Sequence, residues 1–289
     1  MNGLKVTFMM LGLMAIFMGV GYLIGGQKGM VMAFLLATAM NFFSYWFSDK
    51  LVLRMYRARQ IQEHEHPRLY RIVKEVATVN AMMPMPKVYI VPSRAPNAFA
   101  TGRNAEHAAV AATEGLLELL NDDELRGVIG HEIAHIHNKD MLVGTIAATL
   151  AGAIGILASI ARWGAIFGGY NRDENRGGGI GLLVAAIVAP IAAMIIQMAI
   201  SRQREYQADA ESGRLTGRHL ALASALQKLH SAPVRLNLDQ RPATANLMIA
   251  NPLSGKGLSS LFSTHPPVEK RVERLRQLAQ SSVYQDYAR

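Results

Sequence analysis

Four long stretches without any charged residue limit the folds open to this chain of 289 residues. They span residues 6–24, 30–47, 141–161 and 180–200. Each is close to the roughly 20 residues that an α-helix needs to cross the hydrocarbon core of a bilayer. Because only residues 25–29 separate the first two runs, these two should form a hairpin. The pattern predicts a mainly α-helical integral membrane protein with four transmembrane helices.

Three of these runs allow other interpretations. The first could be a signal peptide, but no clear cleavage site with small residues follows it and a second apolar run comes at once. We therefore interpret it as a retained anchor. Runs three and four could instead form a hairpin buried in the core of a soluble domain.

The remaining segments predict an α+β domain with a small β-sheet. Residues 49–66 are polar and helical in character, and their tract Glu63–His66 is interpreted as a solvated linker. Helical spacing of apolar residues follows from Pro67, and extended segments are expected at residues 88–91, 96–102 and 108–112. The expected division has four parts: a transmembrane hairpin (1–48), the first part of the α+β domain (49–140), a second transmembrane hairpin (141–200) and the second part of the α+β domain (201–289).

The charge of the chain favours a lipid partner over nucleic acid. The net charge is +9, and no cysteine is present, so neither disulfides nor thiolate metal ligands are available. Basic residues cluster beside the apolar runs, as at Lys50, Arg54 and Arg57. Juxtamembrane cations attracted to anionic lipid explain this placement, and we expect no nucleic-acid partner.

The motif H-E-x-x-H at residues 131–135 indicates a metal site. On a helix, His131 and His135 lie on one face one turn apart and can bind one divalent cation together. Glu132 points to one side of them, where a general base for a metal-bound water belongs. Asn121 and Glu124 resemble a capping box that begins this helix. The alternative is a surface helix with scattered histidines, and His137 is interpreted as a structural or surface residue.

A catalytic zinc site usually takes three protein ligands and a water, and His₂Glu is a common set. Glu205 follows the fourth apolar run as His135 precedes the third, so a hairpin of these runs would bring Glu205 back to the histidines. Asp209 lies one helical turn later and could orient a ligand imidazole. On spacing alone, an acidic pair on a helix surface explains these residues equally well.

The motifs together resemble the HtpX family of membrane zinc metalloproteases, which is related to the CAAX prenyl proteases. The resemblance rests on residues 131–135, 204–209, 96–102 and 264–266, in the same order and with the same apolar runs. It implies a zincin-like endopeptidase in the cytoplasmic (inner) membrane that clears damaged membrane proteins, often under stress. It also implies one Zn²⁺ per chain with Glu205 as the third ligand.

Two further site assignments are expectations with an open alternative. Asn97, Ala98, Phe99 and Ala100 could form an edge strand that pairs with an extended substrate, or an ordinary core strand. His265, in a proline-flanked loop, could stabilise an oxyanion, or have no role. At the level of the whole chain, a metal-binding scaffold without turnover and a soluble binding domain anchored by a hairpin are the rivals; Glu132 argues against the scaffold.

The positive-inside rule predicts the orientation. The turn between the first two runs holds one cation, Lys28, whereas several follow the second run. We therefore expect both termini and the active site in the cytosol.

Overall fold

The computed structural model describes residues 2–79, 84–146, 202–232 and 266–287. Apolar run four lies outside these residues, as does run three beyond residue 146. The same holds for His265.

The first helical element is a hairpin, α1 (Asn2–Met55), with a kink at Gly25 and Gly26. Gly26 has a φ of +56°, which glycine adopts without strain. The two arms, Leu4–Tyr22 and Gly25–Met55, are long and apolar enough to cross a membrane. A Cβ at Gly29 would lie 2.2 Å from the carbonyl oxygen of Gly21, so the arms approach backbone to backbone. The first two predicted membrane helices are thus confirmed as candidate spans.

The start of the third apolar run packs against this hairpin. Residues 141–146 are helical, and Val143 and Ile146 are fully buried among Met9, Leu13 and Ala37. Many outward-facing apolar side chains of the hairpin, such as Phe8, are exposed. A soluble protein would bury them, whereas a bilayer solvates them.

Within the described part of the chain, a small mixed sheet and six further helices follow the hairpin. Their bounds are β1 (Arg59–Gln60), α2 (Pro67–Val79), β2 (Lys87–Val91), β3 (Ala98–Thr101), a 3₁₀ turn (Ala105–His107), β4 (Ala109–Thr113), α3 (Glu114–Leu119), α4 (Asp122–His137), α5 (Arg202–Thr216), α6 (His219–Ser231) and α7 (Val268–Tyr287). The strand order is β1-β2-β4-β3, with β2 parallel to β4 and the other pairs antiparallel. The three extended segments predicted from sequence are confirmed as β2, β3 and β4.

Strand β1 corrects the prediction that residues 49–66 are helical throughout. The helix ends at Met55, and Arg57 turns the chain with a φ of +53°. Residues 59 and 60 then pair with β2, and the amide of Ile61 donates to the carbonyl of Val88 at 3.0 Å. Residues 59 and 60 are extended because they pair with β2, which lies far along the chain. The local sequence alone therefore does not predict this strand.

Helix α4 lies at the centre of the core. Leu125, Val128, Ile129 and Ile133 are fully buried and pack among α2 and α6. Gly130 allows α5 to come close, since a Cβ there would lie 2.7 Å from Ser212 Oγ. This close approach places the residues of α5 beside the H-E-x-x-H motif.

Candidate active site

The helix that carries the motif begins with the predicted capping box. Asn121 Oδ1 accepts from the amide of Glu124 at 2.9 Å, and Glu124 Oε2 accepts from the amide of Asn121 at 3.0 Å. Glu124 is itself buried and also accepts from Lys228 Nζ of α6 at 2.8 Å. The cap therefore fixes both the start of α4 and its contact with α6.

Three side chains converge on one point. His131 Nε2 and His135 Nε2 are 3.2 Å apart. Glu205 Oε2 lies 3.6 Å from His131 Nε2, and its Oε1 lies 3.5 Å from His135 Nε2. The three residues form the one group of three or more possible metal-binding side chains found among the described residues.

These distances suit a tetrahedral metal ion. Zinc bonds of 2.0–2.2 Å at tetrahedral angles separate neighbouring ligand atoms by about 3.3 Å. The nitrogen and oxygen donors are those that a borderline-soft divalent cation takes in proteins. The donor set and its spacing therefore fit a divalent metal.

The carboxylate of Glu132 lies beside this group, between α4 and the sheet. It is buried, and its Oε2 accepts from the amide of Ala100 in β3 at 2.8 Å. Burial raises the pKa of Glu132 above its ordinary value, although His131 and His135 oppose the shift. The amide of Ala100 thus fixes the carboxylate at the edge strand.

The second nitrogen of His131 is held by a buried ion pair. Asp209 Oδ1 lies 2.9 Å from His131 Nδ1. Arg271 of α7 donates to both oxygens of Asp209, from Nη2 at 2.6 Å and from Nε at 2.8 Å. Arg271 is fully buried, and its Nη1 lies 3.7 Å from Glu205 Oε2. One arginine therefore contacts the group that orients His131 and the predicted third ligand.

His135 faces a second carboxylate at the end of α4. Helix α4 closes with a Schellman motif in which the amide of Asp140 donates to the carbonyl of His135 at 2.9 Å and Lys139 has a φ of +58°. This turn places Asp140 Oδ2 3.6 Å from His135 Nδ1. It also separates α4 from the helical residues 141–146.

The acidic surroundings favour positive charge on the two histidines. Burial alone would lower the pKa of His135, but Asp140 and Glu205 raise it to about 10. Burial likewise opposes protonation of His131, and Asp209 and Glu205 outweigh it, so its pKa is also raised. The pKa of Asp209 falls to about 2 because the charge of Arg271 outweighs its burial. A cavity lined with carboxylates in this way suits a divalent cation.

The structure thus brings together His131, Glu132, His135, Glu205 and Asp209, with Ala100 of the predicted edge strand. His137 points elsewhere and pairs with Glu211 at 2.7 Å on the surface, in agreement with its interpretation. The tract 63–66 lies in an exposed turn, and it contributes no group to the site.

Sequence reasoning missed Asp140, the amide of Ala100 and Arg271. Only Arg271 carried a usable signal. It occupies the i+3 position of the apolar series Val268, Val272 and Leu275, where a solvated arginine would be out of place. The sequence therefore indicates that Arg271 is buried, although it does not indicate the partner of Arg271.

The H-E-x-x-H helix lies beside a sheet edge, and a glutamate from another helix completes a group of three metal-binding donors. This arrangement defines a metalloprotease of the zincin type.

Comparison with known proteins identifies the family. The chain belongs to peptidase family M48, whose pattern matches residues 63–279. It is 55% identical over 276 residues to a protease HtpX homolog of Desulfatibacillum aliphaticivorans, which covers 95% of this chain and 89% of the relative. The corresponding protein of Pyrococcus furiosus is 54% identical over 96% of this chain and 95% of its own length. The resemblance inferred from the motifs is thereby confirmed.

Among solved structures, S. mikatae Ste24p matches with a TM-score of 0.49 and 18% identity over 94% of this chain and 62% of Ste24p.

Proposed function

We propose that this metalloprotease is a zinc-dependent endopeptidase of the cytoplasmic (inner) membrane that hydrolyses membrane proteins or misfolded proteins in quality control. The observation that carries the proposal is the triangle of His131, His135 and Glu205 with Glu132 beside it. Zinc is the metal favoured by two imidazoles and one carboxylate.

In the proposed mechanism, His131, His135 and Glu205 would hold a divalent cation, which would supply Lewis acidity toward the scissile carbonyl and a water. Glu132 takes a proton from that water and later gives it to the leaving amine. The raised pKa of Glu132 suits both proton transfers, because a general acid–base works best when its pKa is closer to the ambient pH. Asp209 orients His131, and Arg271 holds Asp209 in its ionised form.

Strand β3 is proposed to bind the extended substrate. The carbonyl of Asn97 accepts from the amide of Thr113 at 2.9 Å, and the amide of Asn97 donates to Thr113 Oγ1 at 2.9 Å. Backbone directions alternate along a strand. Phe99 therefore also faces β4, whereas Ala98 and Ala100 direct their backbone groups to the free edge. Because the Phe99 ring packs against Tyr56 at 4.8 Å, we assign substrate contact to Ala98 and Ala100. Asn97 and Phe99 then support the strand from behind.

His265 remains a proposed oxyanion donor. Arg271, six residues later, reaches Asp209 and Glu205, which brings the beginning of α7 to the metal group. This proximity supports a role for the preceding loop. Full activity of a folded His265→Ala protein would contradict it.

The rival function is a metal-binding membrane scaffold without turnover. The hydrogen bond from Ala100 to Glu132 favours the enzyme, since metal binding alone needs no carboxylate fixed at a strand edge. The test compares hydrolysis of casein and zinc content in wild-type protein and four variants. His131→Ala, His135→Ala and Glu205→Ala should lose zinc and activity, whereas Glu132→Gln should keep zinc and lose turnover.

Two results would overturn these assignments. Stoichiometric zinc in Glu205→Ala would exclude the third ligand. Full turnover of Glu132→Gln would exclude the general base. A chelator should abolish wild-type activity and zinc should restore it.

A further inference from the structure

An aromatic cluster marks the end of the second transmembrane helix. Phe42, Phe43, Trp46 and Phe47 are all exposed, and their rings contact one another with centroids 5.8–6.2 Å apart. The first charged residues after the apolar run, Asp49 and Lys50, come directly behind them. Tryptophan and tyrosine are enriched where a helix leaves the hydrocarbon for the headgroup layer, and Trp46 contacts the Tyr45 ring here at 5.7 Å. The cluster therefore fixes the level of the membrane surface on this protein.

The loop between β3 and β4 reaches this level. The Arg103 guanidinium lies 5.0 Å from the centroid of the Trp46 ring, and its Nη1 donates to the carbonyl of Trp46 at 3.4 Å. Its Nη2 lies 2.5 Å from His107 Nε2, and Asn104 Oδ1 holds the other nitrogen of His107. Arg103 thus connects the loop to the helix while residues 104–107 stay exposed.

The charge around the cluster suits an acidic surface. Lys50 Nζ lies 5.5 Å from the centroid of the neighbouring Phe47 ring, so two cations sit over adjacent aromatic residues. Arg54 and Arg57 follow as exposed cations on the same segment. Asp49 and Glu106 are the carboxylates of the helix end and the loop. Cations that outnumber acids beside an aromatic belt attract acidic phospholipids.

We propose that the loop of residues 102–108 lies in the headgroup layer and binds acidic phospholipid headgroups through Arg103 together with Lys50. The inference rests on the proposed membrane placement. As a consequence, strand β3 is held at a fixed distance from the membrane surface, on the side of the catalytic domain. We call this distance the depth of the strand.

That depth defines the substrate segment. Arg103 lies three positions after Ala100, whose amide holds Glu132, and three steps of extended chain span about 10 Å. The hydrogen bond between Thr101 Oγ1 and Thr145 Oγ1, at 3.1 Å, ties the same strand to the start of the third apolar run. The peptide bonds of a substrate that can reach Glu132 therefore lie in its juxtamembrane segment. They are about three to six residues from the end of the substrate's own transmembrane helix.

The depth can be measured without any activity. Because the chain has no cysteine, Glu106→Cys can carry a single environment-sensitive fluorophore in the full-length protein. Glu118→Cys is the matched control, since it changes the same charge at an exposed position of α3, beyond the far end of β4. In vesicles of phosphatidylcholine with phosphatidylglycerol, a quencher on the lipid headgroup should reach the label at position 106 several times more strongly than at 118. Equal quenching at the two positions would overturn the proposal.

The lipid specificity has its own control pair. Arg103→Ala should remove most of the additional quenching at position 106 that phosphatidylglycerol causes over phosphatidylcholine alone. Arg94→Ala removes the same charge from an exposed residue before β3 and should leave it unchanged. If both variants respond alike, or if phosphatidylglycerol has no effect, headgroup binding by Arg103 is excluded.

Cleavage then tests the consequence. In a series of single-span substrates, spacers of increasing length separate the transmembrane helix from one cleavable segment. Wild-type protein should cut the short spacers several-fold faster than the long ones, and Arg103→Ala should flatten this dependence. Fluorescence that supports the loop placement with no cleavage of any substrate would reject the proposed protease function alone. Cleavage that is independent of spacer length would reject the depth inference alone.

Discussion

The buried arginine is the residue on which the geometry of the site depends most. Arg271 compensates the charge of Asp209, contacts Glu205 and lies 3.4 Å from His131 Nδ1. A buried ion pair adds little net stability, but removal of one partner leaves the other charge uncompensated. The position therefore tolerates loss of charge poorly although it never touches the metal.

Arg271→Ala should lower the free energy of unfolding by about 3–5 kcal/mol, because Asp209 loses its buried partner. It should also weaken zinc binding about 10- to 100-fold, since Asp209 no longer orients His131 firmly. Arg271→Lys keeps the charge but loses the bidentate contact with Asp209. Its free energy of unfolding and its zinc affinity should lie between those of the wild type and Arg271→Ala. Denaturant unfolding and competition with a chelator measure the two effects.

The control for this prediction is Arg276→Ala, an exposed residue of the same helix. It should change neither quantity by more than about 0.5 kcal/mol. Equal effects of the two variants would show that the helix needs only its overall charge.

Zinc binding should release protons at neutral pH. Without metal, the pKa of His135 is about 10 and that of His131 is also raised, whereas a free histidine titrates near 6.5. Protonation of His135 therefore stabilises the metal-free fold fully below about pH 6.5, and this contribution is lost as the pH rises to about 10. A metal must displace the protons, so its apparent affinity should rise with pH through that range.

Calorimetry of zinc binding in buffers with different ionisation enthalpies counts these protons. We expect at least one proton released per zinc at pH 7. Asp140→Asn should reduce the number, since Asp140 is a principal cause of the raised pKa of His135. Binding without proton release would contradict the charged state of the histidines.

At the scale of elements, Arg68 joins three helices. From α2 it donates to Asp122 Oδ1 at 2.7 Å, and to the carbonyls of Leu117 and Leu120 at 2.6 Å each. It satisfies carbonyls at the end of α3 and faces the first turn of α4 at the same time. The start of the metal-binding helix is therefore attached to α2.

Arg68→Ala should lower the free energy of unfolding by about 1–3 kcal/mol, because carbonyls of the α3–α4 connection lose their donor. Arg71→Ala is the matched control: Arg71 is 65% exposed and lies 3.7 Å from the same aspartate. Exposed ion pairs contribute about 0–1 kcal/mol. Thermal unfolding of both variants measures the difference, and an equal loss would contradict the role of the two carbonyls.

Which elements the sequence could predict depends on the range of the interactions that form them. Helix α4 was predictable because the cap at Asn121 and Glu124 and its apolar spacing are local signals. Strand β1 was not, since its two residues are extended only by pairing with β2. Glu205 stayed ambiguous on spacing alone, because its meaning depends on the return of the chain between residues 136 and 204.

At the scale of the whole molecule, the ligand positions constrain the membrane topology. His135 and Glu205 meet within 3.5 Å, so the chain between them must return to the side it left. An even number of membrane crossings satisfies this, and two crossings use both apolar runs. The packing of Val143 and Ile146 on the hairpin supports entry of the third run into the bilayer.

Single cysteines test this topology in intact cells with a membrane-impermeant maleimide. Lys28→Cys and Glu174→Cys should be labelled from outside, whereas Arg57→Cys and Gln285→Cys should be protected. Labelling at position 57 without labelling at 28 would reverse the orientation. Protection at 174 would show that runs three and four do not expose their connection, which leaves two crossings.

The division of the metal group between distant parts of the chain also affects how the enzyme is made. His131 and His135 are translated 74 and 70 residues before Glu205, and Arg271 follows 66 residues after Glu205. A growing polypeptide therefore carries the complete H-E-x-x-H helix long before it can hold a metal firmly. The three-donor metal group can therefore be completed only after the chain has been synthesised through Glu205, and the ion pair that supports it only after Arg271.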